Sequence, residues 1–472
     1  MKILITGATG LIGKELGKLL TAHGHSVISV SRNAEKAKAE LPFFSEVIEW
    51  KDPSTDFSEA DEVKLSGLDA VVNLMGENLM GHRWNDEFKS KLVTSRVAAT
   101  DGLVRNLTKT GLPKVWVQGS AIGYYGESKT SAPFDESSPK GEGFLADLCV
   151  KWENAISGLP PEVRPILLRT GVVFSHQGGA FPQMLDPLMK GIGGVVGSGE
   201  QRLSIVHLAD MAKFIDAAIQ PDSKAQGPFN LVCEETVTQK ELTERLCEKL
   251  WLKQGPKIPG IAIKLMLGEM AELVLKSQAV ASPRLKEISF QLSYPTVEAV
   301  INEVTAWHQH PYESNKAVYI VYSEQLLPKK REEVFSFFSN AANLEKITPE
   351  FLHFKIKRVS HPPVQDGTRI LYELKLHGIA FRSLTLIAKW DPPFSFTDQQ
   401  LKGPYSLWYH DHFFEEIKSG DHADGTTLMR DYIRYDLPLG IAGKLVGLAK
   451  VRADVTRIFA YRREAIARIF SN

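Results

Sequence analysis

The chain has 472 residues, more than one ordinary core accommodates, so two or three domains are expected. Acidic and basic residues balance at 56 each, which gives no bulk field towards nucleic acid or an anionic membrane. Three cysteines, Cys149, Cys233 and Cys247, are too few and too irregularly spaced for a disulfide framework or a zinc site and read as buried thiols. No apolar run approaches the roughly 20 residues of a membrane span. The start MKILITGATG reads as a strand entering a turn, without the features of a signal peptide. A soluble cytoplasmic protein is the expectation, with its oligomeric state left open.

Residues 1 to 245 alternate short apolar runs with amphipathic stretches. Strands are predicted at Lys2–Thr6, Ser26–Val30, Ala70–Asn73, Lys114–Gly119, Ile166–Arg169 and Phe229–Val232. Helical patterns between them argue an α/β domain with a doubly wound parallel sheet. Residues 246–301 read as a small, mainly helical lobe punctuated by Pro256, Pro259, Pro283 and Pro295, and 302–317 as a polar connection. Beyond it an α+β domain is predicted over 318–472. Its strands lie near VYIVYSEQL, Phe354–Val359, Thr368–Leu376, Leu384–Trp390, Phe396–Gln400, Trp408–Glu415 and Thr426–Asp436, with helices at KKREEVFSFFSN and Ile441–Phe470. A curved antiparallel sheet gripping one long helix fits that order.

The sharpest motif is Gly7-Ala8-Thr9-Gly10-Leu11-Ile12-Gly13, which follows the strand KILIT and opens the helix LIGKELGKLLTAHG. Glycine permits the tight turn and a close approach of backbone to a pyrophosphate. The helix N-terminus offers free N–H groups and the positive end of its dipole. In this strand–turn–helix context the motif marks a dinucleotide-binding Rossmann domain. The second strand ends at Ser31-Arg32, where an NAD site usually carries an acid for the ribose 2′-hydroxyl. A hydroxyl and a guanidinium there favour NADP(H) over NAD(H).

The stretches GATGLIG, VVNLMGEN, RWNDEFKSKLVTSRVAAT, GSAIGYYG, FLADLCVKWE, LRTGVVFSHQGGAFPQML, GIGGVVGSGEQRLSIVHLAD and FNLVCEETVTQKEL together resemble the extended short-chain dehydrogenase/reductase superfamily. Within it they resemble the nucleoside-diphosphate-sugar epimerase-like family, over about residues 1–300. The resemblance implies that Leu74, Met75 and Gly76 pass backbone along the cofactor, that Arg96 reaches it from a helix, and that Val173 lies beside the nicotinamide. It also implies an epimerase or reductase acting on a small molecule, a nucleotide sugar by analogy.

Short-chain dehydrogenases usually pair a serine with Tyr-x-x-x-Lys. Ser120 stands at the serine position, but Leu145 and Cys149 fall where the tyrosine and lysine belong. A leucine cannot move a proton, and a neutral thiol does not replace an ammonium. Ser120 and Tyr124 are the catalytic candidates, and a catalytically silent NADP(H)-binding sensor or ligand carrier is the alternative. His207 and Asp210 resemble a substrate-side loop, with an ordinary helix-start histidine and a surface aspartate as the plainer reading.

REEVFSFFSNAANLEKITPEFL, DGTRILYELKLHGI, TDQQLKGPYSLWYHDHFF and GTTLMRDYIRYDLPLG are similar to the START-like (SRPBCC) superfamily with the helix-grip fold. That resemblance implies a cavity for an apolar small molecule. His410 and His412 alternate onto one strand face and could begin a metal site. Without an evident third ligand, although Glu415 is near, no metal is expected. Asp398, Arg430 and Asp431 are candidates for a polar cluster.

Overall fold

The computed structural model describes residues 1–130, 132–313, 316–376, 378–417, 425–437 and 440–470, the last without the side chains of 440–449. Two compact units, Met1–Thr305 and Ala306–Asn472, divide the chain. Residues 314 and 315 of the polar segment lie outside the described residues, and its first residues form the end of the helix Val297–Ala306.

In the first unit the strands are β1 (Lys2–Thr6), β2 (Ser26–Ser31), β3 (Glu46–Glu49), β4 (Ala70–Asn73), β5 (Val115–Ala121) and β6 (Arg164–Thr170). They are followed by β7 (Val172–Ser175), β8 (Gly178–Gly179), β9 (Arg202–Leu203), β10 (Ile205–His207), β11 (Gly227–Leu231) and β12 (Val237–Thr238). The main sheet is parallel in the order β11-β6-β5-β4-β1-β2-β3. Read from β3, this is the 3-2-1-4-5-6 order of a doubly wound dinucleotide fold, extended by β11. Ile3, Leu4 and Ile5 have no exposed surface, as a central strand covered on both faces demands. Helix α1 (Leu11–Ala22) buries Gly13, Leu16, Gly17 and Leu20, a spacing that keeps one face inward. Two small sheets, β10-β7-β8 and β9-β12, draw their strands from between β6 and β11 and just after β11, and short helices follow from Gly260 to Glu287.

The second unit contains β13 (Tyr319–Leu327), β14 (Lys355–Val359), β15 (Arg369–Leu376), β16 (Ile379–Asp391), β17 (Ser395–Lys402), β18 (Leu407–Ile417) and β19 (Thr426–Asp436). These form an antiparallel sheet in the order β13-β19-β18-β17-β16-β15-β14. Register shifts interrupt the β14–β15 and β16–β17 ladders, and such irregularities bend a sheet. The helix Gly440–Phe470 buries Val455, Phe459, Ile466 and Phe470, a spacing of whole turns. Ile466 and Phe470 join Phe335, Phe338, Phe396 and Phe414 in an aromatic core. No helix among the described residues is long and apolar enough to cross a membrane.

Candidate functional site

The glycine turn sits where β1 ends. Gly7 has a φ of +66°, and a Cβ there would come within 2.6 Å of the Leu74 carbonyl oxygen. The backbone after β1 therefore abuts the backbone after β4, an approach only glycine permits. At Gly13 a Cβ would lie 2.6 Å from both the Ala8 Cα and the Gly7 oxygen, so the first turn of α1 closes tightly on the loop. Gly10 caps α1 without a side-chain hydrogen bond, and no acid stands in the first turn. Thr9 and Gly10 are exposed, Leu11 and Ile12 half-buried. The arrangement is an anion cradle: N–H groups and the helix dipole, with no competing carboxylate.

The strand ends are fixed from below. Asn73 is fully buried; it accepts from the Thr6 hydroxyl at 2.7 Å and donates to Thr100 and Gln118 at 2.8 and 3.0 Å. This ties the ends of β1, β4 and β5 together. Leu74 and Met75 are half-buried and Gly76 exposed. Arg96 lies beneath this loop: its guanidinium donates to the Leu92 and Glu77 carbonyls at 3.2 and 3.0 Å, and a Cβ on Gly76 would fall 2.8 Å from its Cζ. Val173, on β7, is half-buried, and its carbonyl borders Gly179, against which the Leu11 side chain also packs. Ser31 closes β2 with its hydroxyl on the Asn33 backbone, and Arg32 is exposed one residue on.

Ser120 lies at the end of β5, and its hydroxyl donates to Glu153 at 2.6 Å. Glu153 in turn receives two bonds of 2.9 Å from Arg169, which also donates to the Tyr125 hydroxyl at 2.9 Å. Tyr125 donates to Asn230 at 2.8 Å and is fully buried, so its hydroxyl is spent on structure. Tyr124 is half-buried, with its ring on the Arg169 guanidinium at 3.5 Å. Leu145 and Cys149 lie on the helix Phe144–Asn154 and face Gly123 of the turn between Ser120 and Tyr125. Burial and the nearby Glu153 push the Cys149 thiol up to about 11, so it is neutral at physiological pH. Burial also raises the thiols of Cys233, to about 12, and of Cys247. The Glu153–Arg169 pair had a legible trace, an arginine within the apolar strand ILLRT, that pattern reading alone did not connect to Ser120.

His207 caps the helix Leu208–Ile219 and contacts Glu303 at 2.8 Å; His176 meets the other Glu303 oxygen at 3.3 Å. Burial alone would raise the Glu303 carboxyl, but bonds and charge from the two histidines outweigh it and hold it at about 2. Asp210 is fully buried, not a surface aspartate; it accepts from the Ser293 and Tyr294 N–H groups at 2.6 and 3.0 Å and fixes that backbone.

In the second unit, Asp398 of β17 stands opposite His410 of β18, and His412 opposite Asp431 of β19. Asp398 Oδ2 lies 3.3 Å from His410 Nδ1 and 3.0 Å from His412 Nε2. Asp431 Oδ1 lies 3.0 Å from His410 Nε2 and 2.8 Å from His412 Nδ1. Asp398, His410 and His412 border a cavity of about 150 Å³ whose apolar lining includes Phe338, Phe396, Trp408 and Phe459. Arg430 does not join this cluster; it pairs with Glu415.

The strand order and the glycine turn at the carboxyl ends of the strands define a nicotinamide-dinucleotide-binding class of fold for the first unit. The model of the NAD dependent epimerase/dehydratase family matches residues 3–231, and that of a domain of unknown function (DUF1731) matches residues 258–304. The human Epimerase family protein SDR39U1 is 33% identical over 314 residues, covering 65% of this chain and 100% of the human protein. A crystal structure of human SDR39U1 (isoform 2) with NADPH is similar at 31% identity and a TM-score of 0.57, covering 64% of this chain and 99% of that one. A crystal structure described as a nucleoside-diphosphate sugar epimerase from Corynebacterium glutamicum is similar at 27% identity and a TM-score of 0.51, covering 64% of this chain and 58% of that one. The chain belongs to the NAD dependent epimerase/dehydratase family.

Proposed function

We propose that the first unit binds NADP(H) in the glycine cradle and acts on a nucleotide sugar or a small molecule of that class. The carrying observation is the uncapped, acid-free start of α1 beside Gly7, with Arg32 exposed one residue past β2 where an acid would select NAD(H). Gly7, Thr9, Gly10, Leu11, Ile12 and Gly13 would hold the pyrophosphate, and Ser31 and Arg32 the 2′-phosphate. Leu74, Met75, Gly76, Arg96 and Val173 would line the path to the nicotinamide. The cofactor supplies hydride exchange when bound. The structure with NADPH and the name of the Corynebacterium protein support the choice of ligands.

The chain's own contribution is proton placement. The Ser120 hydroxyl donates its hydrogen bond to Glu153, so towards a substrate its oxygen can accept one. Tyr124 would then supply the hydroxyl that donates. Titration calorimetry should show NADPH binding about tenfold or more tighter than NADH, the worth of one charge-assisted contact. Mixing the NADP⁺ complex with a panel of nucleotide sugars should raise absorbance of the reduced cofactor or yield an isomer. Tyr124→Phe should slow that about 100-fold without changing NADPH affinity. Equal affinity for both cofactors, or turnover indifferent to Tyr124, would overturn the assignment.

A second reading, a catalytically silent NADP(H) sensor, draws on Leu145 and the neutral Cys149 thiol against the Ser120–Tyr125 turn. Restoring the pair with Leu145→Tyr and Cys149→Lys should create carbonyl reduction if the site is otherwise intact. The second unit supports a START-like reading as a carrier of an apolar metabolite, because its cavity is lined chiefly by aromatic and aliphatic side chains. A small apolar molecule retained in a native mass spectrum would support that role, and a cavity that takes up no apolar probe would refute it.

A further inference from the structure

We infer that Asp398, His410 and His412 form a divalent transition-metal site of the two-histidine, one-carboxylate type, with its open side on the apolar cavity of the second unit. Three ligand atoms, one from each residue, lie within 4.8 Å of one another. Both histidines are buried, at 4% and 2% exposure, and their ring centroids lie 3.7 Å apart at an interplanar angle of 36°.

The two rings and the carboxylates converge. Each imidazole has a carboxylate oxygen at both of its nitrogens, at 2.8–3.3 Å. A neutral imidazole carries one N–H, so one nitrogen of each ring must present a lone pair to a carboxylate oxygen. His410 Nε2 bonds Asp431 and His412 Nε2 bonds Asp398, each at 3.0 Å, with His412 Nδ1 2.8 Å from Asp431. If the N–H of each ring is turned to Asp431, the lone pairs of His410 Nδ1 and His412 Nε2 face Asp398 Oδ2. One ion can bind all three atoms.

Asp431 then plays the part usual for a carboxylate behind metal-bound histidines: it takes the distal N–H of each and fixes the tautomer. Arg462 Nε, 3.7 Å from Asp431 Oδ2, balances its charge, which leaves the net negative charge of the triad to the metal. The cavity selects the side. Asp398 and both histidines line it, whereas Asp431 does not. Three protein ligands of this kind with a position open to a small molecule suit Zn²⁺ or Fe²⁺ at a reactive site, not a closed structural one. The inference is independent of the NADP(H) reading, since every ligand lies on β17 or β18 of the second unit.

The test uses the full chain, stripped with a chelator and dialysed. Titration with Zn²⁺ should show one equivalent bound and raise the melting temperature of the unaltered protein. Co²⁺ should give the visible absorption of a four- or five-coordinate ion with nitrogen ligands. Asp398→Asn and His412→Gln should each weaken Zn²⁺ binding about 100-fold or more. Asp431→Asn should weaken it about 10- to 100-fold yet keep the Co²⁺ spectrum, the signature of a second-layer partner. The melting shift of the unaltered chain needs no variant to fold. Absence of both heat and melting shift would overturn the proposal. So would binding that survives Asp398→Asn and His412→Gln unchanged, or a Co²⁺ spectrum lost in Asp431→Asn but retained in Asp398→Asn.

Discussion

The two units place their polar chemistry at different points along their strands. In the first, the candidate groups stand at strand ends, where β1, β4 and β5 run out into loops and hand the site to backbone and helix N-termini. In the second, Asp398, His410, His412 and Asp431 stand in mid-strand on β17, β18 and β19, and the first three line a cavity. A parallel sheet covered on both faces has nowhere else for a ligand than the ends of its strands. A bent antiparallel sheet with one helix across it can offer its concave face. The first site is therefore written in short contiguous motifs, the second in register.

That contrast can be tested, starting with the largest effect. Arg169→Met should strand Glu153 as a buried, unpaired carboxylate and cost about 3–5 kcal/mol, read by denaturant unfolding. Adding Glu153→Gln should recover much of the loss. If the single change is nearly neutral, the network under Ser120 is not the support proposed for it. Gly13→Val, whose side chain would meet the Ala8 and Gly7 backbone, should weaken NADPH binding about 100-fold, roughly 2.7 kcal/mol, while leaving Zn²⁺ binding intact. Loss of both would show that the two sites are not separately encoded.

A smaller effect comes from pH. Glu303 titrates at about 2 in the folded chain against an ordinary value of 4.5. Its contribution is fully present above pH ~4.5 and is lost as pH falls towards 2, an effect of order 2 kcal/mol. Urea unfolding from pH 5 downwards should be less steep in Glu303→Gln; identical slopes would remove Glu303 from the account. The smallest is Arg32→Ala, expected to cost NADPH about tenfold, near 1.4 kcal/mol, and NADH nothing. A loss shared by both cofactors would mean that Arg32 serves the loop and not the 2′-phosphate.

Much of the first unit was legible because its signals are local. KILIT is buried from Ile3 to Thr6, GATGLIG carries its turn chemistry in consecutive residues, and six parallel strands fall close to where the apolar runs predict them. Strand β3, Glu46–Glu49, escaped because only Val47 and Ile48 are apolar and buried between two glutamates. β7 and β10 escaped because both belong to a small sheet outside the main alternation. In the second unit every strand was anticipated, since period-two alternation is also a local property. The histidine pair was visible for the same reason. Its partners were not: Asp398 and Asp431 reach it only through the pairing of β17, β18 and β19, and Arg462 through helix packing, none of which spacing reveals. Glu415 is nearer in sequence to His412 than either aspartate, yet it pairs with Arg430. The surface reading of Asp210, one of the two its sequence allowed, fails because its partners, the N–H groups of Ser293 and Tyr294, lie more than 80 residues away.

The three buried thiols have a practical consequence. Cys149, Cys233 and Cys247 are inaccessible, and two of them are held as thiols well above neutral pH. Alkylating reagents act on the thiolate, so at neutral pH the native chain should be nearly silent towards maleimide. One cysteine introduced on the surface of each unit would then accept a fluorophore pair without removal of any native residue. Energy transfer between the dyes could follow the separation of the two units as NADPH or Zn²⁺ is added to the otherwise unmodified chain.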